Sequence, residues 1–231
     1  MTTITLNLQA VHDRIARAAV ACARSASEVS LLAVSKTVPL SSIEEASRAG
    51  QHVFGESYVQ EAVRKITQLA HLGIEWHFIG PLQSNKTRLI AEQFQWVHSI
   101  DRDKIATRLN DARPRDLPPL DVCIQVNVSG EKNKSGVAPG EERELARVIK
   151  KLDRLRLRGL MTIPEPTSDI SLQRRRYALL RTLKDELNSA GYALDTLSMG
   201  MSDDLESAIA EGATVVRVGT AIFGSRETLQ T

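Results

Sequence analysis

The stretch Ser30–Gly50 reads SLLAVSKTVPLSSIEEASRAG and contains one complete strand-and-helix unit. Its run Leu31–Val34 is short and wholly apolar, as expected of a strand that is buried on both faces. The pattern of Ser41–Ala49 predicts a helix that Ser41 or Ser42 can cap. A buried strand followed directly by a helix is the unit from which parallel sheets are built.

The same unit is repeated along the rest of the chain. The predicted strands are Leu31–Ser35, His52–Gly55, Glu75–Gly80, Trp96–Ile100, Val122–Val128, Leu157–Ile163, Leu194–Met199 and Val215–Val218. The predicted helices between them are Ser41–Ala49, Tyr58–Leu72, Lys86–Gln93, Asp103–Ala112, Gly140–Leu152, Ser171–Ala190 and Asp203–Ala210, with a last short helix near Ala221. Eight such units in 231 residues fit a closed (β/α)8 TIM barrel, and an open doubly wound sheet is the alternative.

A leading amphipathic helix over Leu6–Ala26 precedes the first unit, with apolar residues at helical spacing. The segment Arg113–Leu120, RPRDLPPL, predicts a stiff connection within the barrel rather than a linker between domains. We therefore expect one α/β domain over residues 1–231, a (β/α)8 barrel with an extra N-terminal helix.

Composition and charge exclude several classes of protein. The 30 basic and 28 acidic residues leave a net charge of +2, which gives no reason to expect a nucleic-acid partner. The two cysteines, Cys22 and Cys123, have a spacing typical of neither a metal site nor a disulfide framework. We find no secretion signal and no apolar stretch of membrane-spanning length, so we expect a cytoplasmic protein without a membrane partner.

Lys36 stands two residues beyond the first apolar run, at a strand end of the kind where barrel proteins collect functional residues. Lysine is among the residues least often buried, so a solvated loop lysine is one interpretation. The other is an amine held partly out of water, which is the usual preparation for a Schiff base with a carbonyl compound.

Two glycine turns follow the seventh and eighth predicted strands. Ser198–Ala208 reads SMGMSDDLESA and Arg217–Ser225 reads RVGTAIFGS, and in each a small turn leads into a helix start. Barrel proteins often bind phosphate at this pair of loops, where backbone N–H groups supply donors. A carbonyl-reactive lysine opposite a phosphate site indicates a phosphorylated aldehyde, of which pyridoxal 5′-phosphate (PLP) is the commonest.

Arg217 lies inside the last predicted strand, in VVRVG, with apolar neighbours on both sides. A guanidinium there would be mostly buried and would need acceptors. An ion pair with an acidic residue of a neighbouring strand is one arrangement. The other is an arginine that faces the pyridine nitrogen of the cofactor, where a permanent cation disfavours protonation of the ring and weakens carbanion chemistry.

Two further segments offer candidate residues. In WHFIGPLQSNK, His77 is either a hydrogen-bonded core residue or a general base, and Asn85 can line the pocket from the third strand-to-helix loop. In SGEKNKSGV, Lys132 and Lys134 overhang the rim, and solvated side chains are one interpretation of them. The other is that Lys134 takes the aldehyde transiently as it leaves Lys36.

Six motifs, taken in order, closely resemble the pyridoxal phosphate homeostasis proteins, whose fold is that of the alanine racemase N-terminal domain. The motifs span Leu31 to about Arg226 and read LLAVSKTVP, FGESYVQEA, WHFIGPLQSNK, RLRGLMTI, LSMGMSDDLESAI and VRVGTAIFG. The resemblance implies a single barrel that holds PLP as a Schiff base on Lys36, with Arg217 at the pyridine nitrogen. It also implies that the phosphate is bound by Ser202, Gly219, Thr220 and the backbone of Met201.

The full set of candidate cofactor-binding residues is Lys36, Ser57, His77, Asn85, Met199, Met201, Ser202, Arg217, Gly219 and Thr220. One departure from the family pattern is visible, because the usual FGEN reads FGES here and Ser57 replaces asparagine. The shorter side chain puts any contact specific to asparagine in doubt.

The resemblance allows two functions, a racemase-like enzyme and a carrier without strong catalysis. Racemisation on this scaffold uses a lysine and a tyrosine from a second domain, and no second domain is expected in a sequence that ends at Thr231. Tyr58 is the only tyrosine near the rim, and packing is its expected role. We therefore expect a PLP homeostasis protein whose partners are PLP and, as transient recipients, PLP-requiring enzymes.

Lysine Schiff-base aldolases are a further alternative on the same fold. Their lysine generally lies on the sixth strand, and the sixth run here, LRLRGLMTIP, contains none. A yellow protein that loses its colour with borohydride would carry PLP, whereas an aldolase would be colourless.

Overall fold

The structure is a computed structural model that describes residues 2–131 and 134–224. Its strands are β1 (Ser30–Val34), β2 (Val53–Glu56), β3 (Glu75–Phe78), β4 (Trp96–Ile100), β5 (Leu120–Gln125), β6 (Leu155–Met161), β7 (Thr196–Ser198) and β8 (Val215–Val218). They pair in sequence order and close into a parallel barrel, in which Ser30 of β1 lies opposite Val215 of β8. The predicted barrel is confirmed, and the open sheet is wrong.

A helix follows each strand, and the predicted leading helix is present. The helices are α1 (Thr3–Ala21), α2 (Leu40–Arg48), α3 (Val59–Gln68), α4 (Thr87–Gln93), α5 (Asp103–Ala112), α6 (Glu142–Ile149), α7 (Ile170–Ser189), α8 (Leu205–Ala210) and α9 (Thr220–Phe223). The predicted serine cap of α2 is wrong, because the helix begins directly after Pro39 and has no side-chain cap. The leading helix ends at Ala21 rather than Ala26, because Ser25 caps a separate 3₁₀ turn.

Several strands end earlier than predicted. β3 ends at Phe78 and β5 at Gln125, although the apolar runs continue beyond both. The residue directly after β5, Val126, is still buried with 1% exposure, and its N–H still donates to the Met161 carbonyl. Burial therefore extends past the regular ladder, and the rim of the barrel is itself part of the packed interior.

Hydrophobic side chains form a continuous core between the outer face of the barrel and its helices. The inside of the barrel differs, because buried polar side chains bond to one another there, among them His77, His98, Ser198 and Arg217. A polar barrel interior is unusual, since branched apolar residues generally fill it.

Helix α1 supports the two loops in which the sequence predicts a phosphate site. Asn7 Nδ2 donates to the Ile222 carbonyl at 2.9 Å. Arg14 pairs with Glu206 at 2.8 Å and donates to the Ser202 carbonyl at 3.0 Å. Within residues 2–131 and 134–224, none of the helices is long and apolar enough to span a membrane.

Candidate functional site

Lys36 lies just beyond the end of β1 and is half-buried. The next residue, Thr37, has a φ of 63°, a left-handed backbone conformation that is strained for a β-branched side chain. Its N–H donates to Glu61 Oε1 at 2.7 Å. A strained backbone conformation of this kind persists only where contacts with the surrounding structure enforce it. Neighbouring elements therefore hold the conformation around Lys36.

The support comes from a buried ionic cluster of Ser35, Glu56, Glu61 and Lys65. Lys65 Nζ, on α3, donates to the Ser35 carbonyl at 2.6 Å. The same atom lies 2.8 Å from Glu56 Oε1 and 2.5 Å from Glu61 Oε1. Ser35 Oγ donates to Glu56 Oε1 at 2.7 Å. The residues before and after Lys36 are thus both fixed by this ionic cluster.

The ionic cluster depends on its single cation. Glu56 is fully buried, and burial raises the pKa of its carboxyl, an effect that Lys65 and Ser35 oppose. The Glu56 Oε2 atom is buried without a hydrogen-bond partner in the described part of the chain. The sequence offered one signal for this arrangement, the spacing of four between Glu61 and Lys65, but the same spacing is typical of exposed helix pairs.

The pairing of β1 with β8 brings the Lys36 segment beside the glycine turn after β8. A methyl group at Gly219 would lie 3.1 Å from the Val34 carbonyl oxygen, so the two backbones are in direct contact. The Ile222 N–H donates to the Gly219 carbonyl at the start of α9. Gly219 and Thr220 therefore form the N-terminal end of that helix. Two predicted phosphate ligands therefore lie next to the segment that carries the predicted lysine.

The turn after β7 holds the other predicted phosphate ligands. Met199 is fully buried, whereas Met201 and Ser202 are half-buried. The Met201 N–H, predicted to bind phosphate, donates to Asp204 Oδ1 at 2.6 Å. The Ser202 carbonyl accepts from Arg14 at 3.0 Å. Both residues are therefore held by contacts within the protein in this structure.

Tyr177, on α7, supports the same turn from outside the barrel. The sequence places it away from the rim, yet its buried hydroxyl donates to Asp204 Oδ2 at 2.7 Å. Asp204 thereby joins Tyr177 to the Met201 N–H. Burial raises the pKa of Tyr177, so the phenol keeps its proton and serves as a structural donor.

Arg217, on β8, is 4% exposed, and its acceptors are neutral. Its Nη1 donates to the carbonyl and the hydroxyl of Ser198 at 2.6 Å and 2.8 Å, and its Nη2 donates to the Thr162 carbonyl at 2.7 Å. None of the ion pairs within residues 2–131 and 134–224 includes Arg217, so the ion-pair interpretation is wrong. Burial lowers the pKa of Arg217, but an arginine begins so far above neutral pH that it stays charged.

The loops after β2 and β3 contact one another at the rim. A methyl group at Gly80 would lie 2.3 Å from the Ser57 carbonyl oxygen, so only glycine fits there. Ser57 is half-buried and Asn85 is exposed. Tyr58 is 54% exposed, so the packing role predicted for it is wrong.

His77 is a correction to the predicted cofactor-binding set. Its Nε2 lies 2.7 Å from Glu75 Oε1, and its Nδ1 lies 2.8 Å from His98 Nε2. Glu75 is the first residue of β3, so the ring points towards the N-terminal end of the barrel, away from Lys36. Burial lowers the pKa of His77. The other interpretation, a hydrogen-bonded core residue, is the one that the structure supports.

The loop after β5 carries Lys134, which forms an ion pair with Glu131. Asn127 fixes this loop, because its side chain donates to the Glu131 carbonyl at 2.8 Å and accepts from the Gly130 N–H at 3.1 Å. Lys132, the other predicted rim lysine, lies outside the described residues.

Comparison with known proteins identifies the family. Residues 6–227 match the family described as alanine racemase, N-terminal domain. The pyridoxal phosphate homeostasis protein of Pseudomonas aeruginosa is 59% identical over 227 residues, which cover 98% of this chain and 97% of that protein. That of Escherichia coli K12 is 55% identical over 230 residues, 98% of each chain.

A solved structure agrees with these relatives. PipY of Synechococcus elongatus PCC7942, with PLP bound, is similar to this chain with a TM-score of 0.84 and 35% identity. The match covers 96% of this chain and 100% of the PipY chain. The chain therefore belongs to the family of alanine racemase N-terminal domains and, within it, to the pyridoxal phosphate homeostasis proteins.

Proposed function

We propose that this chain binds PLP through a Schiff base on Lys36 and serves in cytoplasmic PLP homeostasis. It holds the cofactor and releases it to PLP-requiring enzymes, without strong catalysis of its own. Relatives that are 55–59% identical carry the homeostasis name, and PipY was solved with PLP bound. In this chain, the observation that carries the proposal is the fixed backbone conformation around Lys36.

The polar groups around Lys36 suit a phosphorylated aldehyde. Lys36 offers an amine, the turns at Ser202 and Gly219–Thr220 offer backbone and hydroxyl donors, and Arg217 offers a buried cation. When bound, PLP supplies a reactive aldehyde. The Lys36 nitrogen adds to the aldehyde carbon and one water leaves, so hydrolysis reverses the bond and permits release.

The proposed binding residues fall into two groups. Ser57, Asn85 and Met199 lie in the segments that follow β2, β3 and β7, and we assign them to the lining of the site. The phosphate group is assigned to Ser202, Gly219, Thr220 and the Met201 backbone. Met201 can donate to a phosphate only after its N–H leaves Asp204.

Two features of the chain argue against strong catalysis. Arg217 is a permanent cation, and a cation near a pyridine nitrogen opposes its protonation, which carbanion chemistry on PLP needs. Racemisation also needs a second base on the opposite face of the cofactor. Tyr177 is buried against Asp204, so among the rim residues Tyr58 would have to supply that base. A racemase-like activity is therefore the second candidate function.

One exchange measurement separates the carrier from the racemase. The PLP-loaded chain is incubated with alanine in deuterated water, and the loss of the α-hydrogen is followed by NMR. We expect a yellow protein whose exchange rate does not exceed that of free PLP at the same concentration, because the Arg217 cation opposes the ring protonation that stabilises a carbanion. Faster exchange that disappears in Tyr58→Phe would favour the racemase. A colourless protein would contradict PLP binding itself.

A further inference from the structure

Five side chains cross the inside of the barrel in one hydrogen-bonded line, called here the histidine chain: Arg217, Ser198, His98, His77 and Glu75. Ser198 Oγ lies 2.8 Å from Arg217 Nη1 and 2.8 Å from His98 Nδ1. His77 then lies 2.8 Å from His98 and 2.7 Å from Glu75. Strands β4 and β7 are not neighbours in the sheet, so the bond between His98 and Ser198 spans the barrel interior.

The Glu75 carboxylate at one end fixes the direction of every bond in the histidine chain when both imidazoles are neutral. A carboxylate only accepts, so His77 Nε2 donates to Glu75. The neutral rings leave His98 Nδ1 to accept the proton of Ser198 Oγ, which itself accepts from Arg217. His98 then carries its proton on Nε2 and donates to His77 Nδ1. His77 carries its proton on Nε2 and donates to the Glu75 carboxylate. Both imidazoles are neutral in this arrangement, and each ring nitrogen has a partner.

The surroundings of the two rings agree with neutral imidazoles. Burial lowers the pKa of His98, and interactions with His77 and Arg217 lower it further. Burial also lowers the pKa of His77, although Glu75 and Asp121 oppose the shift. The Trp96 ring stacks on His77 with 5.2 Å between the ring centroids, and the Trp96 side chain helps to lower the pKa of Glu75. The titratable groups that act on Arg217 besides His98 are Tyr177, Asp204 and Cys123.

We propose that Ser198, His98 and His77 are positioning residues of the cofactor site. They hold Arg217 through the histidine chain, in which every hydrogen bond is donated in the same direction, from Arg217 towards Glu75 at the opposite end of the barrel. The bonds to Ser198 and Thr162 occupy three of the five guanidinium N–H donors, so donors remain for a ligand. The inference rests on the proposed function in one respect, because Arg217 acts on a cofactor only if PLP binds at Lys36.

Nitrogen NMR of the ligand-free protein tests the direction of the histidine chain. With isotope-labelled histidine, single variants of the exposed His12, His52 and His71 assign their signals, and we expect the remaining two, His77 and His98, to be neutral and protonated on Nε2 at neutral pH. Both should stay so below the ordinary histidine pKa of about 6.5. A proton on Nδ1 of either ring, or a doubly protonated ring at neutral pH, would overturn the inference. This measurement needs no core variant, so it holds even if such a variant fails to fold.

Ser198→Ala tests the effect on the cofactor, because it cuts the histidine chain between Arg217 and His98. Without the hydroxyl donor, His98 Nδ1 loses its hydrogen-bond partner, so its nitrogen chemical shift should move by NMR, while both rings keep their protons on Nε2 because Glu75 still accepts from His77. In the PLP-loaded protein, the pH midpoint of the cofactor absorbance should move upward by about one unit, because the cation is held less firmly near the ring.

Ser207→Ala is the matched control, because Ser207 is also a buried serine and its hydroxyl bonds to Gln173 outside the histidine chain. Neither the His98 nitrogen shift nor the midpoint should change in it. An unchanged midpoint in Ser198→Ala would overturn the positioning role. A wild-type protein that shows the expected tautomers but binds no PLP would instead overturn the proposed function and, with it, the positioning role. The hydrogen-bond direction of the histidine chain would still be supported by that result.

Discussion

Lys36→Ala is expected to abolish the visible absorbance that PLP shows when bound to the wild-type chain. The absorbance comes from an imine on the lysine nitrogen, and alanine offers no amine. Lys36 is half-buried at the rim and outside the main hydrophobic core, so the truncation should leave the fold intact. Visible spectra of both proteins, recorded after incubation with PLP and removal of the unbound PLP by gel filtration, and far-ultraviolet circular dichroism measure the two expectations.

Lys184→Ala is the matched control for this experiment, because Lys184 is also a half-buried lysine but lies on α7. Its spectrum with PLP should equal that of the wild type. An absorbance band that survives in Lys36→Ala would place the bond on another amine and refute the assignment.

Lys65→Met is expected to lower the free energy of unfolding by about 3–5 kcal/mol at neutral pH, the usual cost of breaking a buried ion pair. The change removes the cation from the fully buried Glu56 and the donor from the Ser35 carbonyl. Methionine occupies much of the lysine's volume, so lost electrostatics dominates the effect. Denaturant unfolding followed by circular dichroism measures it.

The loss should also depend on pH, in a direction that the burial of Glu56 sets. Burial already raises the pKa of this carboxyl, and removal of Lys65 takes away the main opposing contact. A folded-state pKa above the unfolded value gives stability at low pH that is lost as the pH rises through the folded pKa. Lys65→Met should therefore be less destabilised near pH 5 than near pH 8.

Two controls separate the effect of the unpaired Glu56 carboxylate from other effects of the substitution. Adding Glu56→Gln to Lys65→Met removes the carboxylate, so part of the stability should return and the pH dependence due to Glu56 should disappear. Lys151→Met changes an exposed lysine and should alter the unfolding free energy by less than about 0.5 kcal/mol. If Lys65→Met were as stable as the wild type, the ionic cluster would not be what holds the Lys36 segment.

The fold was predictable because its pattern is local and repeated. Strands buried on both faces appear as apolar runs, and the bounds of Trp96–Ile100 and Val215–Val218 agree with the prediction. Other strand ends were not predictable, because a rim residue such as Val126 is as buried as the strand that it follows. The α2 cap failed because Pro39, rather than a serine, precedes the helix.

The candidate site was predictable only where its signals are local. Lys36 and the turn at Gly219 stand at strand ends and can be found from spacing. The contact between His98 and Ser198 joins residues 100 positions apart, and only closure of the barrel brings them together. His77 was included among the cofactor-binding residues because alternation along a strand shows which side chains point inward. Alternation does not show towards which end of the barrel a side chain points, and His77 points towards Glu75.

The location of the covalent bond is the most direct test of the proposed function. The wild-type chain is mixed with less than one equivalent of PLP, reduced with borohydride and digested, and the labelled peptide is identified by mass spectrometry. We predict that the label lies on Lys36. A label on any other lysine, with Lys36 unmodified, would contradict the proposal.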